Sequence, residues 1–364
     1  MRPIFAAMFA LVAAFAAPAL QAKPAPASDQ RLILVTLDGT RWLDIFRGPE
    51  VRLVIDKDYT KPDLKETIVQ TWMTTENPGA ELMPFLHGTV ARQGVLTGNR
   101  DLNECFNVAN TMWFSYPGYN EIFTGRADSE ITSNDPEYNR NVTFFEWLQR
   151  RPAFAGKVLA FGNWDVFPYI INDKRSGVPV NPGLGQRYPT ETLTMRLALD
   201  AWRTQKPRVL YVGLGDTDEL AHIGDYPGYL AAMNRDDDFI AELWRMAQAD
   251  PETRGKTTLI VTTDHGRGTG FGGAWTEHGS AASVALDPAG FTIPDKAGFP
   301  GSEQIWLGAI GPGVDASAPV LDTFEDGKCL SQSQIAASAL TALGEDWRAF
   351  DAKAGEPLPF FVRK

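Results

Sequence analysis

Residues 258–266 read Thr-Leu-Ile-Val-Thr-Thr-Asp-His-Gly, and they carry the clearest signal of the fold class. Residues 259–261 form an apolar, mostly β-branched run, which is typical of a strand buried on both faces of an α/β sheet. Asp264 and His265 follow the run, and Gly266 permits the backbone to turn there. Open α/β sheets bind their ligands beyond the carboxyl ends of the strands. The stretch therefore predicts a polar site at the end of a buried strand.

A second stretch of the same kind lies at 31–39, where Asp38 and Gly39 follow an apolar run. Two strands that both end in aspartate at one edge of a sheet indicate a shared site. Other patterns predict strands near 94–97 and at 157–161, 208–214 and 304–311, and helices at 82–93, 190–204, 226–249 and 331–343. We predict an α/β fold with a central, mostly parallel sheet, helices on both faces, and loop insertions at 40–80 and 162–188 over the active-site edge.

The segment 110–125 contains a serine at a predicted helix start. Ser115 stands two residues before Pro117, and Gly125 follows the last turn, so the pattern predicts a short helix with Ser115 as its N-cap. Capping is the commonest role of such a serine. The amino end of a helix also carries partial positive charge and free N–H groups, which stabilise an alkoxide or a phosphate oxygen. Ser115 is therefore a candidate nucleophile as well as a cap.

Three of the four histidines lie just beyond predicted strands or in the loops that follow them. Asp218 and His222 are four residues apart and share one face of a helical turn, which makes them a candidate metal pair. His87 has no acidic neighbour at ligand spacing, and we interpret it as structural. A mixture of imidazole and carboxylate ligands favours zinc over magnesium or calcium. The predicted metal-binding residues are Asp38, Ser115, Asp218, His222, Asp264, His265 and His278.

The first 22 residues have the pattern of a secretory signal peptide. They contain one positive charge, an apolar stretch too short to span a bilayer, and a small-residue end at Ala22. Residues 23–29 are predicted to be a flexible leader, and residues 30–364 a single catalytic domain. We therefore expect a periplasmic or secreted protein without a membrane span.

Charge and cysteine content restrict the partners and the compartment. The net charge of −11 argues against a nucleic-acid polymer as the main partner, because phosphate binding depends on clustered lysine and arginine. It suits a protein that binds divalent cations. Cys105 and Cys329 are the only cysteines, and in an oxidising compartment they most simply form one disulfide, although two separate buried thiols also fit the sequence.

These motifs resemble those of the alkaline phosphatase superfamily, and within it the type I phosphodiesterase and nucleotide pyrophosphatase branch. The resemblance extends from about Leu32 to Gly279. It rests on Leu-Asp-Gly at 37–39, Phe-Ser-Tyr-Pro-Gly-Tyr at 114–119, Thr-Gly at 124–125, Asp-Glu-Leu-Ala-His at 218–222, Thr-Asp-His-Gly at 263–266 and Glu-His-Gly at 277–279. It implies an alkaline phosphatase-like fold and a metal-dependent hydrolase of small phosphoric esters.

The resemblance also implies roles for individual residues. It implies two ions, which we expect to be zinc, one bound by Asp218, His222 and His278 and the other by Asp38, Asp264, His265 and the Ser115 oxygen. The two ions would clamp the attacking and leaving oxygens of an in-line displacement, and Ser115 would form a covalent phosphoserine. The phosphate-contacting asparagine of the family corresponds to Asn134, with Asn139 and Asn141 close by in sequence.

Several departures from the branch leave the substrate open. The branch has threonine where Ser115 stands, an Asn-His pair at 118–119 where this chain has Gly-Tyr, and glycine where Ala221 stands. A phosphomonoesterase is the main alternative. A sulfatase-like hydrolase is disfavoured because Tyr119 stands where the sulfatase motif needs arginine, and a cytosolic phosphoglycerate mutase because of the signal peptide. The complete set of ligand positions argues against a non-catalytic binding protein.

The residues around Ser115 predict a preference for phosphodiesters over phosphomonoesters. No lysine or arginine lies close to Ser115 in sequence to meet the extra charge of a monoester. Tyr119, and Trp275 on a mobile loop, are expected to stack on a flat leaving group such as a nucleobase. Arg41 and Arg267 each follow a predicted strand end, and they are the cations that could reverse this preference.

Overall fold

The computed structural model describes residues 29–184, 191–270, 274–286, 298–318 and 329–363. The predicted signal peptide at 1–22 and residues 23–28 of the predicted leader lie outside these ranges. Within the described ranges, no helix has both the length and the apolar character that crossing a bilayer requires.

A seven-stranded sheet forms the centre of the fold, in the order β2-β8-β7-β1-β6-β4-β5. The strand β8 pairs antiparallel with both of its neighbours, and the other pairs are parallel. A separate two-stranded sheet joins β3 to β9. The strands are β1 (Arg31–Leu37), β2 (Val95–Thr97), β3 (Phe106–Asn107), β4 (Val158–Gly162), β5 (Val180–Asn181), β6 (Val209–Leu214), β7 (Thr257–Thr262), β8 (Leu307–Ile310) and β9 (Leu330–Ser331). The predicted α/β class with a mostly parallel central sheet is confirmed.

Helices cover both faces of the sheet. They are α1 (Trp42–Arg47), α2 (Val51–Ile55), α3 (Pro62–Trp72), α4 (Pro78–Leu82), α5 (Ala91–Gln93), α6 (Ser115–Thr124), α7 (Phe144–Gln149), α8 (Phe167–Ile170), α9 (Asp173–Ser176), α10 (Glu191–Gln205), α11 (Asp216–His222), α12 (Tyr226–Ala249), α13 (Ala281–Leu286), α14 (Ile335–Ala342) and α15 (Trp347–Phe350). A π-helical turn lies at Leu86–Val90, and 3-10 turns lie at Arg100–Leu102, Ala274–Thr276 and Gln332–Gln334.

The strand β1 shows why the chain forms two apolar layers. Its side chains alternate between the faces of the sheet, as they must in an extended strand. Leu32 and Leu34 are fully buried in the core that contains residues of α6, α7 and α14. Ile33 and Val35 are fully buried in the core that contains residues of α10 and α12. A strand buried on both faces needs a continuous apolar run, which explains the sequence pattern.

Four predicted local features differ from the structure. The segment 162–188 was predicted to be a loop insertion, but it contains α8, α9 and β5, and residues 185–188 lie outside the described ranges. The segment 40–80 was predicted to be an irregular loop insertion, but it contains α1, α2, α3 and the start of α4. The predicted helix at 82–93 is divided among the end of α4, the π-helical turn and α5. Ser115 is the first residue of α6, and Phe114 is its N-cap, so the Ser115 side chain is not used in capping.

The two cysteines form a disulfide that supports the small sheet. Cys105 and Cys329 are bonded, with their Cα atoms 4.8 Å apart, although they are separated by 224 residues in sequence. The bond joins the segment before β3 to the segment before β9. The prediction of one disulfide is confirmed, and the alternative of two free thiols is wrong.

Candidate metal centre and active site

The register of three neighbouring parallel strands brings the predicted site residues together. The strand β1 lies between β6 and β7, and Leu37 pairs with Leu214 while Thr36 pairs with Thr262. All three strands therefore end at the same edge of the sheet. Asp38 follows β1, α11 follows β6, and Asp264 follows β7.

Three of the predicted ligands surround the ring of a fourth, His265. The His265 Nε2 atom lies 3.4 Å from Asp38 Oδ1, 3.4 Å from Asp264 Oδ2 and 3.3 Å from Ser115 Oγ. All four residues are buried. We call Asp38, Ser115, Asp264 and His265 the His265 group.

The three remaining predicted ligands form a second group beside the first. The His222 Nε2 atom lies 3.2 Å from Asp218 Oδ2 and 3.1 Å from His278 Nε2, and His278 Nε2 lies 3.5 Å from Asp218 Oδ1. We call Asp218, His222 and His278 the His222 group. The two groups are in direct contact, because the His265 and His278 rings have centroids 3.9 Å apart.

Two glycines permit this close assembly. Gly118 in α6 lies against the strand end, where an added Cβ would come within 2.4 Å of the Asp264 carbonyl oxygen. Gly39 has φ of +61°, and an added Cβ would come within 2.7 Å of Asp218 Oδ1. A larger residue at either position would separate Ser115 or Asp38 from the other ligands. The Gly-Tyr sequence that departs from the resembled branch at 118–119 therefore has a structural role here.

Hydrogen bonds from outside the two groups orient the ligands. Tyr119 OH donates to Asp38 Oδ2 at 2.8 Å, and the Gly39 amide donates to Asp264 Oδ1 at 3.1 Å. His265 Nδ1 lies 2.8 Å from the Gly266 carbonyl oxygen, which can only accept, so Nδ1 donates. The other ring nitrogen of His265 then faces the carboxylates. This arrangement is typical of histidines that bind metal through one nitrogen and are oriented through the other.

The donor set fits divalent ions. Asp38 Oδ1 and Asp264 Oδ2 are buried, and neither has a hydrogen-bond partner among the residues that the structure describes. Buried carboxylate oxygens without a partner are costly, and each such atom requires an explanation. Two subsets of the residues, Asp38 with Asp264 and His265, and Asp218 with His265 and His278, place one ligand atom each within 4.8 Å of one another. Their mixture of nitrogen and oxygen donors suits zinc and similar metals.

The pKa values of the His265 group show the same demand for positive charge. Burial and the charge of Asp38 raise the pKa of Asp264 well above its ordinary value, and burial and the charge of Asp218 raise that of Asp38. Burial alone would lower the pKa of His265, but Asp264 and Asp38 outweigh it and raise the pKa to about 9. Crowded buried carboxylates therefore favour a cation at the centre of the site.

Two of the three residues predicted to bind substrate lie below the site surface. Tyr119 is fully buried and uses its hydroxyl on Asp38, so it supports a ligand and does not stack on a leaving group. Trp275 is only 1% exposed and packs against Tyr59 and Tyr226. Both side chains are large and mostly apolar, and both are packed in the hydrophobic core. The role predicted for them is corrected accordingly.

Asn134 lies beside the nucleophile. Its exposed side chain accepts a hydrogen bond from the Tyr116 amide at 2.8 Å, at the amino end of α6. The side-chain amide group is therefore next to Ser115. Asn139 and Asn141 instead contact Asn120 in a buried network. Of the three asparagines, Asn134 alone borders the amino end of α6.

The two arginines that could contact a phosphate are both buried and engaged. Arg41 forms ion pairs with Asp44 and Glu50. Arg267 donates to Asp218 Oδ1, to the Trp275 carbonyl oxygen at 2.8 Å and to the Thr276 carbonyl oxygen at 2.6 Å. His87 lies apart from both ligand groups, where its Nε2 is 2.8 Å from the Ile45 carbonyl oxygen.

Sequence reasoning missed two residues that hold the strand ends in place. Thr217 Oγ1 donates to the Asp38 carbonyl oxygen at 2.6 Å, and Gln332 Nε2 donates to the Asp264 carbonyl oxygen at 2.7 Å. Thr217 directly precedes Asp218, and its position beside a predicted ligand could have identified it as a supporting residue. Gln332 is distant in sequence, and no motif surrounds it.

The family follows from the central part of the chain. The family model of type I phosphodiesterase / nucleotide pyrophosphatase matches residues 47–274. The chain belongs to this family. The matched segment includes Ser115. Asp38 and His278 lie outside this segment in sequence, and the folded chain places them beside the other ligands. Membership of the type I phosphodiesterase / nucleotide pyrophosphatase family makes the protein a metal-dependent phosphoester hydrolase of the alkaline phosphatase superfamily.

Solved structures share the fold at low sequence identity. Murine ectonucleotide pyrophosphatase / phosphodiesterase 5, as an inactive variant in complex with AMP, is 12% identical with a TM-score of 0.53, over 91% of this chain and 97% of that chain. The C-terminal periplasmic domain of EptC from Escherichia coli is 11% identical with a TM-score of 0.51, over 91% of this chain and 87% of that one. Among curated protein sequences, none matches the chain significantly.

Proposed function

We propose that this protein is an exported phosphodiesterase that uses two divalent ions, with zinc as the metal, and forms a covalent phosphoserine at Ser115. The observation that carries the proposal is the convergence of the His265 group and the His222 group at one sheet edge, where Asp38 Oδ1 and Asp264 Oδ2 of the His265 group have no hydrogen-bond partner among the described residues. The ions would be held by Asp38, Asp264, His265 and the Ser115 oxygen on one side, and by Asp218, His222 and His278 on the other. Bound divalent ions supply Lewis-acid stabilisation of the charge on phosphoryl oxygens.

Ser115 acts as the nucleophile in this proposal. Its Oγ atom forms a bond to phosphorus while the bond from phosphorus to the leaving alcohol breaks. Water then cleaves the bond between phosphorus and Ser115 Oγ, which releases a phosphomonoester and restores the serine. The amino end of α6 places partial positive charge beside the phosphoryl group, and the Asn134 amide lies next to it.

The buried arginines support a preference for diesters. A phosphomonoester dianion carries one more charged oxygen than a diester, and an additional cation would favour it. Arg41 and Arg267 are each at most 1% exposed, and both are committed to internal acceptors. Neither guanidinium is free to reach a bound phosphate. We therefore expect small phosphodiesters to be the substrates.

Paired substrates test the preference. At fixed zinc loading, kcat/KM for bis-p-nitrophenyl phosphate and for a nucleotide diester should exceed that for p-nitrophenyl phosphate by tenfold or more (~1.4 kcal/mol). A tenfold preference for the monoester would instead place the protein among phosphomonoesterases. Ser115 can be trapped by acid quenching during turnover of a radiolabelled diester. An unlabelled serine under steady turnover would contradict the covalent step.

Export is a separate part of the proposal and rests on the signal-like pattern of residues 1–22. Mass spectrometry of protein recovered from the periplasm or the medium should find a chain that begins at Lys23. Full-length protein confined to the cytoplasmic fraction would contradict export and leave the proposed chemistry intact.

A further inference from the structure

Arg267 connects the separate segments that supply the His222 group. Its Nη1 donates to Asp218 Oδ1, at the end of β6 and the start of α11. Its Nε and Nη2 donate to the carbonyl oxygens of Trp275 and Thr276, in the 3-10 turn that precedes His278. One side chain therefore ties a ligand from one segment to the backbone that carries another ligand.

The surroundings of Arg267 exclude direct contact with substrate. The residue is fully buried. An added Cβ on Gly39 would come within 2.6 Å of Arg267 Nη1, so the guanidinium fills the space directly behind the backbone at the end of β1. Arg267 therefore acts through the groups it contacts.

The two carboxylate oxygens of Asp218 have different partners. Oδ1 accepts from Arg267 and lies 3.5 Å from His278 Nε2, while Oδ2 lies 3.2 Å from His222 Nε2. The planar guanidinium fork restricts the orientation of its acceptors more than a lysine ammonium would. Arg267 thus leaves Oδ2 directed toward the side chain of His222, where an ion would bind. Partners that orient a metal ligand in this way typically change metal affinity by about 10- to 100-fold.

We infer that Arg267 is a positioning residue that assembles the His222 group before an ion binds and strengthens the binding of the ion at that group. The inference rests on the proposed two-ion function. The positive charge of Arg267 also repels a divalent ion, but the Asp218 carboxylate lies between them and reduces this effect. The structural contribution of Arg267 should therefore outweigh the repulsion.

Two substitutions separate positioning from charge. Arg267→Lys keeps the positive charge and removes the fork, and Arg267→Met removes both. Zinc affinity is measured by competition with a chromogenic chelator, and the ligand geometry is followed by the visible spectrum of the cobalt-loaded protein. Arg41→Lys is the matched control, because Arg41 is equally buried and pairs with Asp44 and Glu50 outside both ligand groups.

The wild type should bind two ions. In both Arg267 variants the first ion should bind with unchanged affinity and the second about 10- to 100-fold more weakly. The Arg41→Lys variant should keep both affinities, even if its melting temperature falls. An unchanged second affinity in both Arg267 variants would overturn the inference, and so would tighter binding in Arg267→Met. A wild type that binds fewer than two ions would contradict the proposed function instead.

A second test uses the wild-type protein alone, so its result does not depend on whether a variant folds. If Arg267 holds the turn without an ion, peptides covering residues 274–279 should resist hydrogen exchange in the metal-free protein. The Glu277 amide, which donates to the Ala274 carbonyl oxygen at 3.3 Å, lies in this segment. Exchange that slows in this segment only after zinc is added would refute preassembly by Arg267.

Discussion

Two clusters of buried charge lie near the end of β1, and they differ in how their charges are satisfied. In the Arg41 cluster, Arg41 donates to both oxygens of Asp44, at 2.7 and 2.8 Å, and to Glu50 at 2.9 Å. Tyr226 and Tyr229 donate their hydroxyls to the same Asp44 carboxylate. Every charge in this cluster has partners of the opposite sign or good hydrogen bonds, so it needs nothing from outside the protein.

The His265 group has the opposite character. Within the described part of the chain, Asp38 and Asp264 each keep one buried oxygen without a hydrogen-bond partner, and His265 Nε2 lies 3.4 Å from both of these oxygens. Burial of charge is common to both clusters and does not distinguish structure from function. The distinguishing feature is the incomplete satisfaction of the charges, which a bound cation would complete.

The largest expected effect is on turnover, from a change that leaves both clusters folded. Ser115→Ala should lower kcat by about three orders of magnitude or more, because it removes the nucleophile. Ser338→Ala is the control: Ser338 is equally small and fully buried, and it accepts from the Leu358 amide at 2.8 Å. The kcat of this control should match the wild type, and its free energy of unfolding should fall by about 1 kcal/mol. Ser115→Ala protein with substantial activity would mean that the nucleophile is another group.

A matched pair of aspartate substitutions contrasts the clusters directly. Asp44→Asn should lower the free energy of unfolding by roughly 3 kcal/mol, because it leaves the buried Arg41 charge poorly compensated, and should leave metal content unchanged. Asp264→Asn should remove at least one bound ion with little cost to the metal-free fold, because the relief of repulsion with Asp38 offsets the lost attraction to His265. Urea unfolding and elemental analysis measure both effects. The contrast between the clusters fails if Asp264→Asn retains the metal content of the wild type.

A smaller effect concerns pH and the metal-free protein. The pKa of His265 is raised from 6.5 to about 9 in the folded state, so the folded protein keeps a proton that the unfolded chain releases at a lower pH. The stability that this proton contributes is complete below about pH 6.5 and is lost as the pH rises through about 9. Metal-free protein should therefore lose stability from about pH 7 to about pH 9, and zinc-loaded protein should not. A constant difference in melting temperature between the two forms across this range would contradict the prediction.

The smallest effect is expected outside both clusters. His87→Ala removes the hydrogen bond to the Ile45 carbonyl oxygen and should cost about 1 kcal/mol of stability. Metal content and kcat/KM should match the wild type, because His87 contacts neither ligand group. Loss of metal in this variant would show that the assignment of the four histidines is wrong.

Local sequence signals predicted the strand ends and the ligands at them. Buried parallel strands require apolar runs, and polar residues directly after such runs meet at one edge, so Asp38 and Asp264 could be found without a structure. Tyr119 and Trp275 were assigned to substrate because they are aromatic and adjoin site residues. Whether an aromatic side chain faces substrate or core depends on partners that are distant in sequence, such as Tyr226 for Trp275.

The supporting contacts were less predictable still. Arg267 was recognised as a cation at a strand end, but two of its three acceptors are backbone carbonyl oxygens of a later turn, which no residue pattern reveals. Gln332 holds the Asp264 carbonyl from 68 residues further along the chain. Such contacts depend on the packing of complete elements and become visible only in the folded structure.

The decisive measurement is the metal content of the purified protein. Protein dialysed against a low concentration of free zinc and then analysed by inductively coupled plasma mass spectrometry should contain two equivalents of divalent metal per chain. Treatment with a strong chelator should remove both equivalents together with phosphodiesterase activity, and zinc should restore the two in parallel. Metal-free protein, verified by the same analysis, that retains full activity would contradict the claim that the partnerless carboxylates at this sheet edge are metal ligands.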